Sequence, residues 1–177
     1  PMNKCLFIAS GLFLLAVLFL QVLVSDLIIA PLGIAAKPTT GARTLEAART
    51  LHDALYEEQS KRALFEYSIE ERFNWHFIPP VRNGVSISEL TDDQRARVAS
   101  LLAASLSEAG ATRAQQVMSL EAILRDREGP QRRFARDPEL YYVSFFGQPS
   151  TEGKWGWRFE GHHLALNFTL DGAKMLS

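Results

Sequence analysis

An uncharged apolar run at the N-terminus sets the strongest limit on where this chain resides and how it folds. Residues 5–24 read CLFIASGLFLLAVLFLQVLV, after Lys4 and before a second apolar patch over residues 27–36. The apolar core of a secretory signal has about 7–15 residues, whereas a membrane-spanning helix needs about 20. Residues 1–36 are therefore predicted to be either a cleaved signal peptide or an uncleaved signal-anchor helix.

Both alternatives export the rest of the chain, and both exclude a purely cytosolic enzyme. We expect a secreted, periplasmic or otherwise extracytoplasmic protein, held on the membrane by residues 5–24 if the leader is not cleaved. With 177 residues, the chain has the length of about one domain. The predicted organisation is a leader over residues 1–36 and one polar domain over residues 37–177.

Composition excludes several classes of protein. Hydrophobic residues make up 47% of the chain and charged residues 22%, which is ordinary globular usage and excludes global disorder. Lys and Arg number 19 against 20 Asp and Glu, so no excess of basic charge favours a nucleic-acid partner. Cys5 is the single cysteine, which excludes an internal disulfide framework and a cysteine-based zinc site.

After the leader, periodicity and capping residues predict about three helices. Apolar side chains recur at helical spacing over residues 42–69. Thr91 and Gln94 form a capping box that starts a second helix, which Gly110 would end. A third helix is predicted over residues 112–128. Its inward side chains would be Val117, Met118, Ile123 and Leu124.

The C-terminal part of the chain predicts strands. Residues 140–146 and 155–170 are rich in aromatic and β-branched side chains, and residues 72–81 read as a short extended piece that ends at two prolines. The predicted fold class is α+β: a leader helix, about three helices, then a small antiparallel sheet. Two or three strands bury too little surface alone, so we expect the chain to be part of a larger domain.

A polar cluster in the predicted strand over residues 155–170 is the densest candidate site. In a strand, Arg158, Glu160 and His162 share one face, and His163 lies on the other. Gly161 could form a bulge that aims both histidines into one site. A structural interpretation, an Arg–Glu pair beside a hydrogen-bonded histidine, stays open.

The functional interpretation gives each polar residue a role. His162 and His163 would be metal ligands or acid–base groups, since imidazole titrates near neutral pH. Glu160 would orient or ligate, and Arg158 would hold a negative charge of the substrate. His76 would join from the earlier segment as a third ligand of a divalent metal, although the identity of any cofactor is left open.

The remaining aromatic and histidine residues have simpler expected roles. Trp75, Trp155 and Trp157 could form a stacking platform for a carbohydrate, but large aromatic side chains more often belong to a core. His52 is predicted to face solvent from the middle of its helix. Arg136, with Arg132 and Arg133, is interpreted as a solvated basic patch.

Six motifs between residues 51 and 169 resemble a known family. They are Trp75-His76-Phe77-Ile78-Pro79, Arg82-x-Gly84-Val85-Ser86, Leu90-Thr91-x-x-Gln94-Arg95, Met118-Ser119-Leu120-Glu121, Arg136-Asp137-Pro138-Glu139-x-Tyr141-Tyr142 and Trp155-Gly156-Trp157-Arg158-Phe159-Glu160-Gly161-His162-His163-Leu164. In this order they resemble the DUF3500 family of uncharacterised proteins. The resemblance implies an exported protein without a settled activity. Because members are typically much longer, it also implies that this sequence is an N-terminal portion.

Two hypotheses for function follow. The first is an exported hydrolase-type enzyme that depends on a metal or on histidine. The second is a non-catalytic envelope or ligand-binding protein, in which the histidines and tryptophans are structural. Under either, the expected partners are a small-molecule or carbohydrate ligand, and the membrane if the leader stays attached. The exposure of His162 and His163 distinguishes the two hypotheses.

Overall fold

The computed structural model describes residues 37–78 and 82–177. The predictions of a signal peptide or signal-anchor helix over residues 1–36 fall outside the described residues. Within the described ranges, no helix has the length and apolar character needed to cross a membrane.

Four α-helices occur in the described part of the chain: α1 (Thr40–Ala54), α2 (Glu57–Ala63), α3 (Asp92–Ser105) and α4 (Glu108–Glu128). The single helix predicted over residues 42–69 was wrong. Leu55 and Tyr56 are extended and separate α1 from α2. The side chain of Gln59 accepts a hydrogen bond from the Tyr56 backbone at 2.9 Å, which restarts the helix as a capping box.

Helix α3 begins as predicted. Thr91 caps it, and its hydroxyl accepts a hydrogen bond from the backbone N–H of Gln94 at 3.3 Å. The predicted end at Gly110 was wrong, because Leu106 is already extended and Ser107 caps α4. Gly110 lies in the first turn of α4, where its N–H bonds the Ser107 hydroxyl at 3.1 Å.

The described residues also form six strands, in one mixed sheet. They are β1 (Leu64–Phe65), β2 (Val85–Ser86), β3 (Tyr142–Phe146), β4 (Lys154–Gly161), β5 (Leu164–Asp171) and β6 (Lys174–Met175). The sheet order is β1-β3-β4-β5-β6, and β2 pairs with β3 on the same side as β1. Only the β1–β3 pair is parallel among these pairings. The α+β prediction, helices followed by a sheet, is confirmed.

The strand predicted over residues 155–170 was wrong, because it is a hairpin. Strands β4 and β5 pair with each other, with Gly161 opposite Leu164, so His162 and His163 form a two-residue turn. His163 has a φ of 57°, the left-handed value that tight hairpin turns require. The predicted bulge at Gly161 does not form, because Gly161 pairs with Leu164. His162 and His163 lie in the turn, so the alternation of side chains along a strand does not decide which face each of them occupies.

The two faces of the sheet have different partners. One face carries Trp155, Trp157 and Phe159, which pack with apolar side chains of α1 and α3 in the core. Trp155 and Trp157 are 0% and 1% exposed, so they serve the core. The opposite face carries Arg158 and Glu160, and it positions the polar groups described next.

Candidate functional site

A chain of buried ion pairs lies on the face of the sheet opposite the core. Arg158 Nε lies 2.7 Å from Glu160 Oε1, and Glu160 Oε2 accepts a hydrogen bond from Arg82 Nε at 3.1 Å. The other end of Arg158 bonds Glu71, with Nη2 at 2.7 Å from Oε1. The side chains of Arg158, Glu160 and Arg82 are only 0–3% exposed. Positive and negative groups alternate along the chain, so each buried charge has a partner.

Arg158 and Arg82, the two arginines of the ion-pair chain, also bind the backbone of residues 69–78, which we call the aromatic segment. Arg158 Nη1 donates to the carbonyls of Glu71 and Asn74, at 2.7 and 3.3 Å. Arg82 Nη2 donates to the carbonyls of His76 and Ile78, both at 2.6 Å. The predicted extended conformation is replaced by a short 3₁₀ turn, Glu70–Phe73, and irregular backbone whose carbonyls the arginines satisfy.

The ion pairs make stability depend on pH. Burial alone would raise the pKa of Glu71, but hydrogen bonds from Asn74, Arg158 and Asn83 outweigh it and hold the pKa below the ordinary value. The folded state therefore binds fewer protons than the unfolded state, and stability is lost as pH falls through the folded pKa. We expect the urea concentration at the unfolding midpoint to decrease as the pH is lowered from about 5 to about 3.

The matched variant is Glu71→Gln, measured over the same pH range. Because it lacks the titrating group, its midpoint should fall less than that of the parent. Parallel pH profiles for the two proteins would contradict this source of acid sensitivity.

A second polar group surrounds His162 at the β4–β5 turn. His162 is 9% exposed, and its Nδ1 lies 2.5 Å from Oε1 of Glu121 on α4. Arg136 Nη1 lies 3.1 Å from Nδ1 and 3.4 Å from Nε2 of the same ring. Arg136 is in turn bound by both carboxylate oxygens of Glu128, at 2.8 and 2.9 Å, and this pairing lowers the pKa of Glu128. The carboxylate that contacts the imidazole is thus Glu121.

Tyr141 binds the backbone of the β4–β5 turn. Its hydroxyl donates to the carbonyl of His162 at 2.8 Å, and burial raises the pKa of the phenol, which keeps it a neutral donor. Gly161 lies against the ring of Tyr141. A Cβ at this glycine would lie 2.3 Å from the nearest ring carbon, so only glycine fits.

His163 is the exposed histidine of the turn. Its backbone N–H donates to the carbonyl of Phe77 at 3.0 Å, and its ring stacks with the Phe77 ring at a centroid distance of 6.4 Å. The His162 ring lies 4.0 Å from it, at a tilt of 36°. The imidazole of His163 is thus accessible to solvent and contacts two neighbouring rings.

His76, the predicted third metal ligand, bonds a neighbour in the aromatic segment. Its Nε2 lies 2.9 Å from Oδ1 of Asn74, and the side chain is exposed. Across residues 37–78 and 82–177, no three His, Cys, Asp or Glu side chains are grouped so that they could hold a metal ion. The metal assignment of His76, His162 and His163 stays a prediction.

Five polar residues of the site were missed in the sequence: Glu71, Arg82, Glu121, Glu128 and Arg136. Glu121 is 3% exposed, whereas Ile123, predicted to point inward from the same helix, is 54% exposed. Arg136 was interpreted as part of a solvated patch, but its side chain is 10% exposed. Arg82, Glu121 and Arg136 belong to the motifs that carry the family resemblance, which is the signal that could have found them.

The prediction for His52 also needs correction. Its side chain is 18% exposed and its ring packs edge-on against Phe145 at a centroid distance of 5.8 Å. Helix α1 presents this face to the sheet, so His52 is a packing residue away from the turn.

The comparisons with known proteins agree with the resemblance. A family model described as "Protein of unknown function (DUF3500)" matches residues 37–177. No curated protein and no solved structure matches the chain.

Proposed function

The chain belongs to the DUF3500 family, and we propose that it is an exported enzyme of hydrolase type whose acid–base group is His163. The observation that carries the proposal is the imidazole of His163, which is exposed and lies against the rings of Phe77 and of a carboxylate-bound His162. A general base has to be both accessible and held in one orientation. The uncharged run over residues 5–24 supports export.

His162 acts in this proposal as a positioning residue. When Nδ1 carries the proton, it donates to Glu121 at 2.5 Å, while Arg136 Nη1 lies near both ring nitrogens, 3.1 Å from Nδ1 and 3.4 Å from Nε2. The Glu121 carboxylate therefore favours the tautomer with the proton on Nδ1 and orients the ring.

His163 would carry the chemistry. Its imidazole would remove a proton from a water molecule as the water oxygen adds to the electrophilic carbon or phosphorus of the substrate. The same proton would then pass to the leaving group, which returns the imidazole to its neutral form. Such a positioned acid–base group accelerates a reaction by about 10²–10⁴-fold.

Arg158 and Glu160 have an indirect role in this proposal. Both are buried and bound in the ion-pair chain, which includes a hydrogen bond of 3.0 Å from Arg82 Nη2 to the carbonyl of Gly161. They therefore position β4 and its turn rather than contact substrate. In the metal-dependent version, His162 and His163 would supply nitrogen ligands. His76 would have to give up its contact with Asn74 to join them as the third ligand.

A non-catalytic ligand-binding protein is the second candidate. The observation that favours it is the exposure of Phe73 and Trp75 on the aromatic segment, at 74% and 54%. In that case the Glu121–His162 pair serves only to fix the turn. If the leader is not cleaved, either protein would act at the membrane surface through residues 5–24.

The test is hydrolysis by the purified chain of p-nitrophenyl acetate, butyrate, phosphate and β-glucoside. His163→Ala is expected to lower kcat/KM by about 100-fold on the substrate that is turned over. Leu120→Ala is the control, an exposed side chain on α4 with no role in the proposed site, and it should leave kcat/KM unchanged. Activity on none of the substrates, or equal activity of the His163→Ala variant, would contradict the proposal.

Metal analysis separates the two versions of the enzyme. The metal-free version predicts that dialysis against a chelator leaves kcat/KM unchanged. Stoichiometric metal in the parent, lost in a folded His162→Ala/His163→Ala variant, would instead establish the metal-dependent version.

A further inference from the structure

The aromatic segment displays large apolar side chains to solvent. Phe73, Trp75 and Phe77 are 74%, 54% and 64% exposed, and Ile69 and Ile78 are 42% and 45% exposed. Five such side chains within ten residues are far more than the scattered apolar residues of an ordinary surface. An exposed apolar patch of this kind marks a binding surface.

The backbone under these side chains is held by buried charges. Arg158 and Arg82 bind four carbonyls of the segment, and both guanidinium groups are buried in the ion-pair chain. Taking charges out of water is costly unless they are fully paired. The fold thus fixes a segment whose aromatic side chains add little to the core. A surface fixed in this way loses little conformational entropy when a ligand binds.

A cleft of about 240 Å³ opens between the aromatic segment and the sheet. Its lining includes Arg72, Phe73, Trp75, Phe146, Asn167 and Thr169. Trp75 and Phe73 supply aromatic faces, while Asn167 and Thr169 supply an amide and a hydroxyl that can both donate and accept hydrogen bonds. The cleft therefore combines aromatic side chains and uncharged polar groups with the guanidinium of Arg72.

The charges near the cleft disfavour an anionic ligand. Glu70 is exposed beside Phe73, and Glu71 lines a second opening next to it. The guanidinium of Arg72 already stacks on Tyr67 at 4.0 Å and on Phe73 at 5.4 Å. Nucleic acids and anionic membranes need an excess of unpaired basic groups, which the lining does not supply.

We infer that this cleft binds one pyranose ring of a neutral carbohydrate. The C–H face of the ring would stack on the indole of Trp75, and its hydroxyl groups would bond Asn167 and Thr169. The cleft volume suits a single sugar ring, so an oligosaccharide would place one unit there and extend over Phe73. This inference does not rest on the proposed activity of His163.

Trp75 provides the measurement. Because Trp155 and Trp157 are 0% and 1% exposed, a ligand that stacks on a tryptophan can stack only on Trp75. Trp157 also borders the cleft, so the Trp75→Ala variant separates its change in emission from that of Trp75. The full chain would be made in bacteria, so that the sequon Asn167-Phe168-Thr169 stays unmodified. It would be titrated with cellotetraose, maltotetraose, xylotetraose and chitotetraose, by fluorescence and by calorimetry.

The expected result is a saturable shift of tryptophan emission with at least one of these tetrasaccharides, and a matching calorimetric isotherm. Asn167→Ala keeps the reporter and should weaken binding by about tenfold. Trp75→Ala should abolish the isotherm. Leu120→Ala, which removes another exposed apolar side chain on α4, is the control and should bind like the parent.

Two results would overturn the inference. One is the absence of saturable binding to any of the four sugars by a folded parent protein. The other is binding that Trp75→Ala and Asn167→Ala leave unchanged, since the sugar would then occupy another place on the protein.

Discussion

Replacing Arg158 with methionine is expected to lower the free energy of unfolding by about 3–5 kcal/mol. The guanidinium is 0% exposed and pairs with Glu160 and Glu71 at 2.7 Å each. Methionine fills much of the same volume but leaves Glu160 buried with one partner fewer. It also frees the carbonyls of Glu71 and Asn74, which Arg158 satisfies. Urea unfolding followed by tryptophan fluorescence measures the change.

Arg97→Met is the matched control for this prediction. Arg97 pairs with Asp93 at 2.7 Å on the exposed surface of α3, with its side chain 34% exposed. A surface pair of this kind contributes about 0–1 kcal/mol, so the variant should unfold close to the parent. Similar losses for Arg158→Met and Arg97→Met would mean that the buried ion pairs do not hold the fold.

Replacing Gly161 with alanine is expected to lower the free energy of unfolding by about 3 kcal/mol. The added Cβ would lie 2.3–2.6 Å from three ring carbons of Tyr141. Tyr141 is 0% exposed and its hydroxyl bonds the carbonyl of His162, so the ring cannot move away without loss of that bond. Thermal unfolding monitored by circular dichroism would show the loss.

Gly110→Ala provides a control of opposite sign. A Cβ added at Gly110 would lie 3.4 Å from the nearest atom, which is an ordinary contact, and the residue lies within α4. Alanine in a helix is favoured over glycine by about 0.5–1 kcal/mol, so this variant should be as stable as the parent or more so. If Gly161→Ala unfolds at the same temperature as Gly110→Ala, the contact between residue 161 and Tyr141 is not tight.

The parts of the fold that local signals encode could be predicted. Thr91 with Gln94 gave the start of α3, because a capping box acts within one turn of helix. The aromatic and β-branched residues around β3 gave that strand. The side-chain alternation of β4 gave the common face of Arg158 and Glu160, which form an ion pair at 2.7 Å.

The β4–β5 turn could not be predicted from local signals. Hairpin turns are recognised by Gly or Asn, which accept a positive φ at little cost, but here His163 takes a φ of 57°. Apolar residues continue on both sides of the turn, so the periodicity shows no break. What stabilises the conformation is tertiary: the Phe77 carbonyl accepts the His163 N–H, and Tyr141 bonds the His162 carbonyl.

Local sequence signals also could not identify which residues contact each other in the site. Glu121 lies 41 positions from His162, and Arg82 lies 78 positions from Glu160. A buried charge on a helix looks like a solvated one in the sequence until the partner on another element is known. The family motifs contain these residues, but a motif does not say which of its members meet.

Nuclear magnetic resonance of the histidine ring nitrogens would decide whether Glu121 orients His162 beside His163. Long-range ¹H–¹⁵N correlations on the full chain report which nitrogen carries the proton. We predict that His162 is the Nδ1–H tautomer with a strongly downfield-shifted proton, that Glu121→Ala removes this signal, and that the His163 ring exchanges its proton with solvent. An Nε2–H tautomer of His162, or a His162 signal that Glu121→Ala leaves unchanged, would contradict the pairing on which the proposed role of His163 depends.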